Sequence, residues 1–224
     1  MTGKKTLLMF LSSLFNLIII VLGSTAIIRQ LCQVTIVAGI SLGGLDTFRY
    51  FTNDGNIFCI ISAGIALFFN LLSIRKKQIL MPVWVYLLRL ASAVSSLIIF
   101  LVVIIILIPT MDGMLSGFNL VVLHGINPLL CLFLFLIFDK QSERYKFYHS
   151  FLGSLPVLIY GIIAISFITT QAWSKEMIPY PFLRFYENPV YQSVVSCIGF
   201  LLTALILSFL LSFINKYLTR KIYK

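Results

Sequence analysis

The chain reads as an all-α polytopic integral membrane bundle of six transmembrane helices with both termini cytoplasmic. Hydrophobic residues fill 60% of its 224 positions and the mean hydropathy is +1.03, whereas soluble domains are about half apolar. Six apolar stretches cover approximately residues 6–28, 52–74, 82–108, 118–138, 147–170 and 190–214. Each exceeds the roughly 18 residues that mark a membrane span. Between them no connection is long enough to hold a soluble core, so residues 1–224 read as a single integral membrane domain.

The polar connections give the orientation. Lys4, Lys5, Arg75, Lys76, Lys77, Lys140, Arg144, Lys146, Lys216, Arg220, Lys221 and Lys224 would all lie on one side, and only Arg29, Arg49, Lys175 and Arg184 on the other. Short loops rich in Lys and Arg remain in the cytoplasm, which places both termini there in a multi-pass protein of the cell membrane. The net charge of +10 is scattered over loop ends. Anionic lipid is its natural partner, and no nucleic acid is expected.

Taken in chain order, the first span follows Lys4 and Lys5 as a signal peptide would. Gly23-Ser24-Thr25-Ala26 is its nearest approach to a cleavage site, and the five spans that follow favour its retention as a membrane helix. The next segment contains VTIVAGISLGGL, about a dozen apolar residues weakened as a helix by Gly39, Gly43 and Gly44. It suits an interfacial or re-entrant stretch, or an extension of the first span. The second span opens with FTNDGN. Arg89 lies in the third, about 10 Å from its cytoplasmic end at helical rise, and either snorkels to the headgroups or pairs inside the bundle. The fourth contains LHGINP. Gly153 and Gly161 in the fifth read as helix-packing contacts. Before the sixth, WSKEMIPYPFLRFYENP has three prolines and five aromatic residues, the composition of an interfacial aromatic belt or of a lid over the outer end of the bundle. Cys32, Cys59, Cys131 and Cys197 are scattered without a CxxC pair and read as small packing residues.

FTNDGN and LHGINP share the outer half of the membrane. Thr52 and Asn56 are four residues apart and share a helix face. His124, Asn127 and Pro128 lie together on the fourth span, where Pro128 cannot donate to the carbonyl of residue 124 and so predicts a kink at the histidine. A histidine within an apolar span is a functional candidate by default. These residues suit nucleophilic catalysis: Thr52 as the nucleophile, activated by His124 as general base and acid, with Asn56 and Asn127 as possible polar support for an oxyanion. Each has a plainer alternative, a helix-starting hydroxyl for Thr52 and interhelical hydrogen bonds for the others. If Thr52 and His124 are partners, they should face one cavity with the aromatic segment at its mouth. Asp46 and Arg49 form a possible local ion pair beside the threonine. No metal-binding, GxSxG or phosphate-loop spacing occurs, and neither a metal nor another cofactor is expected.

LDTFRYFTNDGNIFCII, VVLHGINPLLCLFLFLIFDK and IPYPFLRFYE resemble the bacterial branch of the androgen-induced and androgen-dependent TFPI-regulating family of multi-span membrane threonine hydrolases. The resemblance implies cleavage of fatty acyl esters by an intramembrane threonine and histidine, which fall on Thr52 and His124, with the family asparagine on Asn56. Bacterial relatives have a serine where this chain has Gly55, so the polar lining differs here. The expected partner is a membrane lipid or lipid-like ester. The alternative is a non-catalytic membrane protein that binds or transports a small amphiphile.

Overall fold

The computed structural model describes residues 3–33, 35–37, 40–110, 117–142, 144–180, 183–187 and 189–223. Three positions of the aromatic segment, Pro181, Phe182 and Asn188, lie outside them, as do residues 34, 38 and 39 of the first long connection and 111–116 between the third and fourth spans. Among the described residues, six helices are long and apolar enough to cross a membrane: α1 Gly3–Cys32, α2 Phe51–Lys76, α3 Val83–Leu107, α4 Phe118–Ile137, α5 Phe147–Thr169 and α6 Val190–Ile222. The protein is a multi-pass membrane protein, and among the described residues it is all-α except for one small hairpin.

That hairpin lies in VTIVAGISLGGL, where β1 (Thr35–Val37) pairs antiparallel with β2 (Ile40–Leu42), Thr35 opposite Leu42. The hairpin portion is therefore not a helical extension of α1. Its β-branched residues favour the pleat, and its glycines disfavour helix. A 3-10 turn, Gly44–Arg49, then leads directly into α2. Gly44 has φ +60° there, a conformation that suits glycine.

The bundle is apolar outside, and its interior mixes apolar side chains with many small and polar ones. On α1, Leu7, Phe10, Leu14, Leu17 and Val21 face outward, while Ser12, Ser13, Asn16 and Gly23 are buried. Lipid tails are as apolar as leucine, so helices in a membrane associate through small residues and hydrogen bonds rather than by hiding apolar faces. Asn70 Nδ2 donates to Ser12 Oγ at 2.8 Å, tying α2 to α1. Asn215 Nδ2 donates to the Phe135 and Asp139 carbonyls at 2.6 and 2.9 Å, tying α6 to the end of α4. Ser208 donates to the Ser150 carbonyl and joins α6 to α5. Beside that bond, a Cβ on Gly153 would overlap the Ser208 hydroxyl, so this glycine permits the close approach.

α3 is the central helix. It packs on α2, α4, α5 and α6, and 56% of its apolar window is buried against 17% for α6. Of the two alternatives for Arg89, the structure takes pairing: the side chain is fully buried, with Nε 2.7 Å from Asp139 Oδ2 and Nη1 3.4 Å from Ser62 Oγ. Asp139 stands just past α4, so the ion pair closes one end of the α2–α3–α4 interior.

Proline shapes three of the spans. In α3 and α4 the residue just before a proline bonds five residues back, Ile108 N–H to the Val103 carbonyl and Asn127 N–H to the Val122 carbonyl. Pro109 and Pro128 follow immediately and have no N–H to give. The missing donor loosens the helical ladder, and a π turn takes up the slack. In α4 that turn, Val122–Ile126, contains His124. α5 begins as a 3-10 segment, Phe147–Ser154, and becomes α-helical at Leu155, next to Pro156.

Candidate functional site

The first turn of α2 starts where the 3-10 turn ends, and this junction places Thr52 on the wall of a cavity. The cavity has a volume of about 240 Å³ and lies between α2, α3, α5 and α6, with Tyr180 and Leu183 of the aromatic segment also on its wall. Its lining is apolar, including Ile98, Ile99, Ile165 and Leu201, except for Thr52, Tyr160, Tyr180 and Cys197. A second groove of about 340 Å³ shares Ile98, Val102 and Phe200 with it and runs between the π turn of α3 and Gly199 and Thr203 of α6. Ile162 and Ile198 on the cavity wall and Ile105 on the groove are 56%, 53% and 65% exposed, so both spaces border the outer face of the bundle.

The aromatic segment covers this end of the bundle by specific tethers. Arg49 Nη1 donates to the Met177 carbonyl at 3.1 Å, and its Nη2 is 3.4 Å from Asp46 Oδ2, so the Asp46–Arg49 pair also holds the segment. Tyr186 donates to the Ile168 carbonyl at 2.9 Å. Tyr180 reaches furthest: its phenol oxygen accepts Phe51 N–H at 3.1 Å, and it shares the cavity wall with Thr52. Burial drives the Tyr180 phenol well above its ordinary range, opposed by the bonds from Phe51 and Thr52. It is therefore a neutral donor at any physiological pH. Beside it, Tyr160 donates to the Arg49 carbonyl at 2.7 Å.

Asn56 connects Thr52 to the fourth span. Its Nδ2 donates to the Thr52 carbonyl at 2.7 Å and to the Leu123 carbonyl at 2.8 Å, so one amide bridges α2 to the residue before His124. Asn127 Nδ2 approaches Asn56 Oδ1 at 3.4 Å. A Cβ on Gly23 of α1 would collide with the Asn127 amide, so α1 backs the same cluster. Gly55 sits against α3, where an added Cβ would come within 2.6 Å of Ile99 Cδ1. A side chain there would have to displace Ile99, one of the cavity's walls.

His124 is buried in the π turn, with Nδ1 3.1 Å from the Leu120 carbonyl. A carbonyl only accepts, so Nδ1 carries the proton in that bond and a neutral ring keeps Nε2 as its basic atom. His124 is not on the cavity wall with Thr52, and the two make no hydrogen bond with one another. Thus Thr52, Asn56 and Asn127 are brought into one chain of contacts. His124 adjoins that chain through the backbone rather than through its ring.

Sequence reasoning named Tyr180 only as one aromatic residue among five. Its signal is the IPYP context, because prolines on both sides restrict a residue to extended backbone. Asp139 had no such signal. It reads as a loop acid until Arg89 is seen facing it. Among the described residues no three His, Cys, Asp or Glu side chains come together as a metal-binding set. No family model matches the chain, and no significant match appears among curated proteins or solved structures.

Proposed function

We propose that this membrane protein is an intramembrane hydrolase of fatty acyl esters, a member of the threonine hydrolase family its motifs resemble, with both termini in the cytoplasm. The observation that carries the reading is the position of Thr52: a hydroxyl on the wall of an apolar cavity that borders the outer face of the bundle. Such a cavity takes an acyl chain and leaves its ester beside the few polar groups present. In this reading Thr52 Oγ1 attacks the ester carbonyl and its proton passes to His124 Nε2, which requires the imidazole to turn from its place off the cavity wall toward the threonine. Collapse of the tetrahedral intermediate breaks the bond to the alkoxy group, which leaves with the proton from His124. Water then cleaves the acyl-threonine by the same exchange and releases the carboxylic acid. The Asn56 bridge supports the pairing of these two segments, since it holds the backbone of Thr52 and of Leu123 to one amide.

A second reading, a carrier or binding protein for a small amphiphile, is favoured by one observation: His124 is absent from the cavity wall. Incubation of the purified protein in lipid vesicles with a fluorophosphonate probe and a panel of fatty acyl esters separates the two. The hydrolase reading expects covalent labelling at Thr52 and ester turnover. Neither labelling nor turnover, with a photoreactive fatty acid still captured in the cavity, leaves the binding reading in its place.

Orientation has its own test. Topology reporters fused after Gln78, Gly113, Glu143 and Tyr180 should read cytoplasmic, external, cytoplasmic, external. A cytoplasmic signal at Gly113 or Tyr180 would reverse the assignment of the termini.

A further inference from the structure

We propose that Tyr180 is a third catalytic residue of this site, donating a hydrogen bond to the ester carbonyl oxygen as Thr52 attacks; the assignment rests on the hydrolase reading above. Tyr180 and Thr52 line the same cavity, and the phenol is held at the backbone N–H of Phe51, the residue next to Thr52. An ester oxygen seated against the threonine hydroxyl is therefore within reach of the phenol as well. The phenol oxygen accepts Phe51 N–H at 3.1 Å, which fixes the oxygen at the start of α2 on the cavity wall.

The other polar groups nearby have different duties. Asn56 Nδ2 is engaged by the Thr52 and Leu123 carbonyls, and its Oδ1 faces the Asn127 amide. Tyr160 donates to the Arg49 carbonyl. The asparagines that sequence spacing offered for an oxyanion thus act as ties between helices, and the phenol takes that place.

Preorganisation is what makes a donor effective, because a fixed dipole needs no rearrangement as charge develops. Tyr180 is fixed on several sides. Pro179 and Pro181 flank it in sequence, Leu183 N–H bonds to its carbonyl at 3.0 Å, and the Tyr50 and Tyr160 rings meet its own edge-on at 6.3 Å. During attack, the bond from Thr52 Oγ1 to carbon forms and the carbonyl π pair moves onto oxygen. The Tyr180 O–H···O contact shortens without transferring its proton. Collapse returns the pair to the carbonyl, expels the alkoxide and leaves Tyr180 unchanged.

The test compares wild type with Tyr180→Phe in lipid vesicles, using p-nitrophenyl laurate and the matching thionoester, whose sulfur is a poor hydrogen-bond acceptor. Removing one such donor lowers kcat by about 10²-fold, with KM within about twofold because the phenyl ring still fills its place. The wild-type preference for the oxygen ester over the thionoester should collapse in the variant. That ratio is independent of how much protein is folded, so it still reads the donor if the lost acceptor of Phe51 N–H lowers Tm. An unchanged ratio, whether or not KM and Tm move, makes Tyr180 a structural residue and overturns the proposal. Absence of wild-type turnover of the laurate removes the hydrolase reading itself, and Tyr180's role with it.

Discussion

Thr52→Ala is expected to lower ester turnover by about four orders of magnitude, to near the uncatalysed rate, while the bundle remains folded. A nucleophile and its base act as a unit, so removing either costs about as much as removing both, and a factor of 10⁴ corresponds to about 5.5 kcal/mol of transition-state stabilisation. His124→Asn should be similarly inactive. An amide in that place can still donate to the Leu120 carbonyl, but it cannot take a proton from Thr52. Thr52→Ser keeps the hydroxyl and should retain measurable turnover. Thr52 is only partly buried and its removal opens no large void, so thermal stability of the alanine variant should stay close to wild type. The measurement is initial rate per folded molecule in vesicles, with intact-mass analysis for the acylated protein. Turnover that persists in both Thr52→Ala and His124→Asn sinks the mechanism. Loss in Thr52→Ala alone would keep the threonine and assign the base elsewhere.

The second large effect is on stability. Asp139→Ala leaves the fully buried Arg89 guanidinium without its carboxylate, 2.7 Å away in the native bundle. Breaking a buried pair by removing one partner costs about 3–5 kcal/mol, because the surviving charge stays desolvated and uncompensated. That is a large share of the stability of a folded domain. Arg89→Met should fail comparably, since it strands Asp139. The double variant Arg89→Met/Asp139→Leu should recover most of the loss, because well-packed apolar residues can replace a buried pair at little net cost. Thermal unfolding in mild detergent reads all three. An Asp139→Ala protein within about 0.5 kcal/mol of wild type would show that Arg89 had found another partner.

The legible part of this protein was its relation to the bilayer. Six apolar runs correspond to six helices because a span has to satisfy its backbone internally and present apolar side chains to lipid. Both demands are local to each segment. The same locality explains where run and helix part. α6 continues from the apolar run ending near 214 to Ile222, with Asn215 and Thr219 buried and Lys216, Arg220 and Lys221 exposed. Hydropathy reports where the lipid ends, whereas the helix ends where its packing on α4 ends, at the Tyr223–Phe138 hydrogen bond. Pro128 announced a departure from regular helix at His124, since a missing N–H is written in the sequence.

What spacing left open were the meetings between segments far apart in the chain. Arg89 and Asp139 are 50 residues apart, Asn56 and Leu123 are 67 apart, and Phe51 and Tyr180 are 129 apart. A spacing rule extends only a turn or two along one helix, and which faces of six helices meet depends on the fit of small residues and on paired polar groups in three dimensions. The polar group beside Thr52 is therefore a tyrosine from a distant connection. The sequence determined which segments cross the bilayer and which polar residues they carry, and tertiary packing decided which of those residues touch.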